Sequence, residues 1–246
     1  MKVIVCSSYE MVSVKAAQIV RSHVREKPDS VFGLATGGTP LRMYDLLAED
    51  HRLNGTSYQK AVSFNLDEYV GLNRSHPNSY HYYMQSHFFS KVDLLPANRF
   101  VPDGLASDLQ EECEQYEKQI KDEGGIDLQI LGLGENGHIG FNEPGTSFKK
   151  GTHVTTLTND TRKANARFFK NQREVPHYAI TMGLNTIIQA KKIVLLAAGR
   201  KKAKAVKRMI TGPVTESFPA SILQTHSDVT ILIDKEASFE NIKEEK

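Results

Sequence analysis

Cysteine is almost missing from this chain. Cys6 and Cys113 are the two among 246 residues. They stand far apart in unrelated contexts, which argues against a disulfide framework and a cysteine-rich zinc site and makes a reducing compartment the default. A surplus of one charge is missing too: 31 Lys and Arg against 29 Asp and Glu leave a formal +2, without the basic excess of a nucleic-acid-binding surface. No apolar run approaches the length of a membrane span. The amino terminus, MKVIVCSSYE, turns polar after one lysine and a few apolar residues, so it reads as a strand and not as a signal peptide. A cytoplasmic protein without nucleic-acid or membrane partners is expected. The chain is 39% hydrophobic and 24% charged, enough to bury a real core. No repeat, low-complexity tract or linker divides it, so residues 1–246 are expected to form a single domain ending in a solvated tail, KEEK.

What is present is an alternation of strand and helix. Val3 to Val5 read as a short buried strand, and Ser7 with Glu10 has the spacing of a capping box opening a helix, in which Val12, Ala16, Ile19 and Val20 recur at helical period before Pro28. VFGLA, from Val31 to Ala35, runs into Thr36-Gly37-Gly38-Thr39-Pro40, with Thr39 suited to an N-cap and Pro40 to the first helical position. AVSFNL ends at Asp67-Glu68-Tyr69. A charged helix is expected from about Leu109 to Asp122, stopped by Gly124-Gly125, and IDLQILGL follows as a strand. Thr158 to Gln172 read as a polar helix or lid. Then come a helix near Leu184 to Ala190, the strand KIVLLAAG, a helix from Arg200 to Ile210 and the strand VTILID. This alternation predicts an α/β, Rossmann-like fold: a doubly wound, mostly parallel sheet with helices on both faces.

In such a sheet ligands gather beyond the carboxyl ends of the strands. The stretch from Gly132 to Ser147 would emerge there, its glycines permitting sharp turns and Glu135, Asn136, His138, Asn142 and Glu143 standing between them. Neutral imidazole both takes and gives a proton near pH 7, so His138 among amides and carboxylates is a candidate acid–base; a self-satisfied glycine turn is the alternative. Thr36 to Pro40 offer backbone N–H groups at a helix start, where a compact phosphate fits. The loop matches neither the Walker nor the Gly-x-Gly-x-x-Gly pattern, and a simple structural turn is the competing reading. Gly199-Arg200-Lys201-Lys202 repeats the theme, although lysines there also suit the wet face of a helix. Arg167 can reach an anion or lie against the aromatic pair beside it. Asp67 and Glu68 are neighbours on a strand end, so at most one enters a given pocket; a general base and a capping carboxylate are the two readings.

Three ordered motifs then carry a resemblance: Thr36-Gly37-Gly38-Thr39-Pro40, Phe64-Asn65-Leu66-Asp67-Glu68-Tyr69 and Gly134-Glu135-Asn136-Gly137-His138-Ile139-Gly140-Phe141-Asn142-Glu143-Pro144. With NSYH at Asn78 to His81 and the segment TRKANARFF, the chain resembles the glucosamine-6-phosphate deaminases over nearly its whole length. The resemblance implies conversion of glucosamine 6-phosphate and water to fructose 6-phosphate and ammonia, an isomerising deamination in amino-sugar catabolism, with no metal or organic cofactor. It implies that His138 opens the sugar ring with Glu143 as its partner, that Asp67 moves a proton between C2 and C1, and that Gly37, Gly38, Thr39, Arg167 and Lys202 surround the phosphate. Many members carry Asp where Asn136 stands; the amide is expected to orient the His138 ring, leaving more of the tuning to Glu143. Where allosterically activated members have basic residues this chain has His153 and Thr155, so activation by N-acetylglucosamine 6-phosphate is not expected. A 6-phosphogluconolactonase-like hydrolase is the nearest alternative, but in that family the Gly-His turn continues toward Leu-Phe-Pro. A non-catalytic sugar-phosphate sensor is the other. Monomer and homo-oligomer both remain open.

Overall fold

The computed structural model describes residues 1–238; the tail KEEK lies outside the described residues. In chain order come β1 (Lys2–Cys6), α1 (Tyr9–Glu26), β2 (Val31–Leu34), α2 (Leu41–Asn54), β3 (Val62–Asn65), β4 (Asp67–Tyr69), α3 (Tyr80–His87), β5 (Arg99–Phe100), α4 (Leu109–Asp122) and β6 (Leu128–Gly132). β7 (His153–Thr156), α5 (Asn159–Asn165), β8 (Tyr178–Thr181), α6 (Leu184–Ile188), β9 (Lys192–Ala197), α7 (Ala203–Thr211) and β10 (Val229–Asp234) follow.

Seven strands form one parallel sheet in the order β1-β10-β9-β6-β2-β3-β5. Its inner strands read as unbroken apolar runs because helices cover both faces, and β2, β3 and β10 are buried at every position. From β2 the chain steps through β3 to β5 at one edge; β6, β9 and β10 then proceed the opposite way. The direction of winding therefore reverses between β2 and β6. All seven strands point alike, so the loops after β2, β3, β6 and β9 leave four adjacent strands along one edge, on both sides of that reversal. This is where a doubly wound sheet opens a crevice.

The helices follow local chemistry. α4 spans the expected residues: Asp108 caps it by accepting from the amides of Gln110 and Glu111, acidic Glu111 and Glu112 occupy the first turn, and Gly124 and Gly125, both at φ +82, end it.

Several expectations need correction. β1 is the sheet's edge and not a buried strand, with Val3 38% and Val5 50% exposed. α1 is capped by Ser8, whose hydroxyl accepts from the Met11 amide at 3.3 Å, and not by Ser7. Glu10 instead pairs with Arg42 of α2 at 2.9 Å. α2 starts one residue later than expected, with Pro40 at the cap position, where it offers no capping side chain; Tyr9 Oη instead accepts from the Arg42 amide at 3.4 Å. The largest departure is a second sheet, β4-β8-β7, antiparallel throughout. Asp67, Glu68 and Tyr69 belong to it and do not extend β3. Tyr69, Phe141, Leu157, Phe169, Val175 and Ala179 form its own apolar cluster.

Candidate active site

The loop leaving β6 is shaped by its glycines. The His138 ring lies directly over Gly134, where a Cβ would meet its Cε1 at 2.4 Å. Gly137 takes φ +89 against the Phe218 ring, a left-handed conformation that favours glycine. The amide of Ala220 donates to the Gly137 carbonyl at 2.9 Å, and that of Gly134 to the His138 carbonyl, also at 2.9 Å. Asn142 is buried and serves the turn itself: its Nδ2 donates to the carbonyls of Ile139 and Met182 at 2.9 and 2.8 Å.

This turn brings Asn136, His138 and Glu143 together. Asn136 Nδ2 donates to Glu143 Oε2 at 2.8 Å, while the His138 amide donates to Asn136 Oδ1 at 3.1 Å. The Asn136 amide thus orients the carboxylate and the backbone under the imidazole, whereas the sequence suggested that it would orient the ring. His138 Nδ1 stands 3.8 Å from Glu143 Oε2 and has no hydrogen-bond partner. That gap is too long for a hydrogen bond but short enough to close around a ligand. Burial pushes the His138 pKa down and Lys202 adds to this, while Glu143 pulls it up, so the ring is neutral at pH 7 and able to accept a proton.

Glu143 is held from its other side by residues that sequence reasoning missed. Thr158 Oγ1 donates to Glu143 Oε1 at 3.3 Å, and Thr161 Oγ1 donates to the same oxygen. These threonines begin α5, so the segment expected to be a helix or lid is tied to the turn after β6. Arg162 anchors it further by donating from Nη2 to the carbonyls of Gln172 and Val175 at 3.2 and 3.0 Å. No spacing signal in the sequence links position 143 to positions 158 and 161.

Asp67 approaches from the second sheet. Its Oδ2 lies 3.7 Å from the point a Cβ on Gly140 would occupy, so this carboxyl faces the same turn that carries His138 and Glu143. Asp67 is 6% exposed. Burial first, and the charge of Glu68 second, raise its pKa to about 8. Glu68 points away, as alternation on a strand requires, and accepts from the amides of Tyr69, Tyr80 and His81. One carboxylate enters the site and its neighbour caps α3.

Lys202 follows β9 by one short 3₁₀ turn, Arg200–Lys202, at the entrance to α7. Burial lowers its pKa most; Glu135 opposes this, and the positive charges of Arg167 and Lys201 add to it. Arg167 and Lys202 therefore share one electrostatic neighbourhood. Gly199, at φ +87, is fixed by its amide donating to both carboxylate oxygens of Asp234 at 3.0 Å. At the end of β2, two strands from β9 with β6 between them, Gly37 (φ +93), Gly38 and Thr39 turn carbonyls toward tyrosines. Tyr83 donates to Gly37 at 2.7 Å, and Tyr9 to Gly38 and Thr39 at 3.0 and 3.1 Å. The cap residue Pro40 bonds none of the first amides of α2, and Tyr9 Oη reaches that of Arg42 at 3.4 Å, so the helix start can hold an anion. His153 and Thr155 lie on β7, His153 Nδ1 being 2.8 Å from the Gly151 carbonyl oxygen. Among the described residues no group of three or more His, Cys, Asp and Glu could hold a metal ion, and no helix is long and apolar enough to cross a membrane.

Comparison with known proteins fits this geometry. The family described as glucosamine-6-phosphate isomerases/6-phosphogluconolactonase matches residues 8–232. A glucosamine-6-phosphate deaminase of Halalkalibacterium halodurans is 54% identical over 96% of each chain. Glucosamine-6-phosphate deaminase 1 of Bacillus subtilis is 51% identical, over 97% of this chain and 98% of its own. A solved monomeric glucosamine-6-phosphate deaminase superposes with a TM-score of 0.95 at 51% identity, over 96% of this chain and 98% of its own. A 6-phosphogluconolactonase from Trypanosoma brucei shares the fold alone, at 20% identity and a TM-score of 0.80 over 98% of each chain. The chain belongs to the glucosamine-6-phosphate isomerase/6-phosphogluconolactonase family, among its glucosamine-6-phosphate deaminases.

Proposed function

We propose that this chain converts glucosamine 6-phosphate and water to fructose 6-phosphate and ammonia, as one catalytic domain working in the cytoplasm. The observation that carries the reading is the meeting of buried Asp67 with the His138–Glu143 pair across Gly140, at the point where the sheet reverses its winding.

The roles follow from the chemistry of each group. Gly37, Gly38, Thr39, Arg167 and Lys202 receive the phosphate, an anion suited to uncapped helix amides and a cationic pair. His138, neutral at pH 7, takes the proton of the anomeric hydroxyl and returns it to the ring oxygen, opening the pyranose. Glu143 stabilises the transient imidazolium, and Asn136 keeps Glu143 aimed. Asp67 in its ionised form removes the C2 proton and delivers it to C1. Removal of the C2 proton gives an enolamine, its delivery to C1 turns the enolamine into an imine, and water releases ammonia from that imine. Each positioned acid–base step is worth roughly 10²–10⁴ in rate. His153 and Thr155 offer no strong cationic pocket for an acetylated sugar phosphate, so activation by that ligand is not expected. The solved relative described as monomeric supports a monomer here.

The test is ammonia release from glucosamine 6-phosphate by the purified protein, with unphosphorylated glucosamine and 6-phosphogluconolactone alongside. Ammonia from the phosphorylated amino sugar alone is the expected result. Hydrolysis of the lactone would assign the chain to the other chemistry of its family, and binding without turnover would make it a sensor.

A further inference from the structure

The loop between β2 and α2 is held through its carbonyls, and three helices each send one tyrosine to hold them. Tyr44 of α2 donates to the Ala35 carbonyl at 2.6 Å, and Tyr83 of α3 to that of Gly37 at 2.7 Å. Tyr9 of α1 donates to the carbonyls of Gly38 and Thr39 at 3.0 and 3.1 Å. The phenols stand together on one side of the loop. The rings of Tyr44 and Tyr83 meet edge to face with centroids 6.5 Å apart. Burial first, and Tyr9 second, raise the Tyr83 pKa, so its hydroxyl keeps its proton and donates. In a trans peptide the N–H of the next residue points opposite to the carbonyl. Each bonded carbonyl therefore sends an amide the other way: that of Thr36 away from Tyr44, that of Gly38 away from Tyr83, and that of Thr39 away from Tyr9. The Thr39 carbonyl is followed by Pro40, which has no amide to send. Among the described residues no protein group accepts from these three amides. Nothing stands within 4 Å of where a Cβ on Gly37 or Gly38 would lie, so the loop is uncrowded there.

Gly37, at φ +93, and Gly38 have no side chain to fix the peptide plane between them, and glycine tolerates the dihedrals of either orientation of that plane. A rotated plane would present a carbonyl oxygen to an anion where an amide belongs, replacing attraction by repulsion. The phenols oppose that rotation, because it would break their hydrogen bonds. We propose that Tyr9 and Tyr83 are positioning residues for the sugar phosphate: by holding the carbonyls of Gly37 and Gly38 on one side, they keep the amides of Gly38 and Thr39 turned toward the phosphate, and so set its affinity without touching the substrate. This role rests on the deaminase reading, which supplies the phosphate. Neither tyrosine takes part in the proton transfers given to His138 and Asp67, so removing a phenol is felt in binding and not in the chemical steps.

The experiment compares Tyr9→Phe and Tyr83→Phe with the wild-type protein. Tyr82→Phe is the control, since Tyr82 lies on the same helix, is 42% exposed and bonds no carbonyl of the loop. Three readings are taken: KM and kcat for glucosamine 6-phosphate, the inhibition constant of inorganic phosphate, and the amide NMR signals of Gly38 and Thr39 during a phosphate titration. Loss of one neutral hydrogen bond is expected to raise KM and the phosphate constant together, roughly threefold to tenfold in each variant, with kcat little changed and Tyr82→Phe matching the wild type. Phosphate should move the two amide protons downfield in the wild-type protein and move them less in Tyr9→Phe and Tyr83→Phe. An unchanged phosphate constant in the folded variants, a loss confined to kcat, or phosphate that inhibits without moving the two signals would each overturn the role of the tyrosines while leaving the deaminase reading in place. Each variant decides without the other, so one that does not fold leaves its partner as the test. Amide signals that answer phosphate through the tyrosines in a protein releasing no ammonia would keep the positioning role and overturn the deaminase reading. A wild-type protein that neither binds phosphate nor releases ammonia would overturn both.

Discussion

At the scale of single residues, Asp67 is buried and Asn136 is exposed. Asp67 is a carboxyl whose pKa stands at about 8 in the folded chain against roughly 3.9 when unfolded. Between those values the folded state binds more protons than the unfolded one, so stability falls as pH rises from about 4 to about 8 and levels off above. Asp67→Asn is expected to remove that fall, raising the melting temperature at pH 8 by roughly 2–4 °C per kcal/mol of relieved desolvation, with no gain near pH 4. The same variant should lose roughly 10²–10⁴-fold in kcat while retaining phosphate-dependent binding. Near-normal turnover would remove Asp67 from its role as base. Asn136 is instead a neutral donor beside Glu143. Asn136→Asp takes away that hydrogen bond and adds a negative charge next to the imidazole, favouring the protonated ring. The limb of the kcat/KM profile governed by His138 should therefore move to higher pH, and an unmoved limb would show that position 136 does not act on the histidine.

At the scale of the element, the turn proposed to be catalytic is a glycine-shaped loop braced by the segment after α7. Gly137 sits at φ +89 with the Phe218 ring where a Cβ would go, 2.3 Å away, and Arg208 lies over that ring, 4.5 Å from its centroid. Glu216 adds a second brace, accepting from Ser147 Oγ at 3.0 Å and the Phe148 amide at 2.9 Å. Gly137→Ala must strain the backbone and displace an aromatic ring at once, a cost of about 2 kcal/mol or more. Thermal denaturation should show the loss, and kcat should fall with it because the same turn carries His138. A variant as stable and active as the parent would mean that the brace does not hold the turn.

At the scale of the whole molecule, the sheet and its loops are separable in energy. Leu195 on β9 is fully buried at the centre of the sheet. Leu195→Ala is expected to cost about 2–5 kcal/mol in denaturant unfolding while leaving KM of the folded fraction unchanged. A large change in KM at full folding would tie the site to core packing more tightly than the loops suggest. The architecture also explains which parts could be read in advance. α4, β9 and β10 were legible because apolar runs and a glycine stop are local signals, and the parallel sheet followed from their alternation. β7 and β8 escaped because each spans only four residues and pairs antiparallel across a long separation. Neither length nor period marks such strands. β1 looked buried because Val3 and Val5 are apolar, yet an edge strand has a neighbour on one side only.

The residue types proposed for the chemistry were determined by the sequence alone: the glycines that allow the turn, His138 and Glu143 five positions apart upon it, the cations after β9, and the small residues after β2. Backbone conformation and side-chain chemistry are local properties, so they survive being read along the chain. Only the tertiary structure decided that Asp67 leaves the parallel sheet for the small antiparallel one and faces Gly140, and that Glu68 turns away to hold α3. It also decided that Thr158 and Thr161 reach Glu143 and that Asn136 grips the carboxylate rather than the ring. Each of these depends on burial and on contacts between residues distant in sequence. Those same contacts raise the pKa of Asp67 and lower that of His138, because desolvation is a property of the packed interior and not of any residue in it.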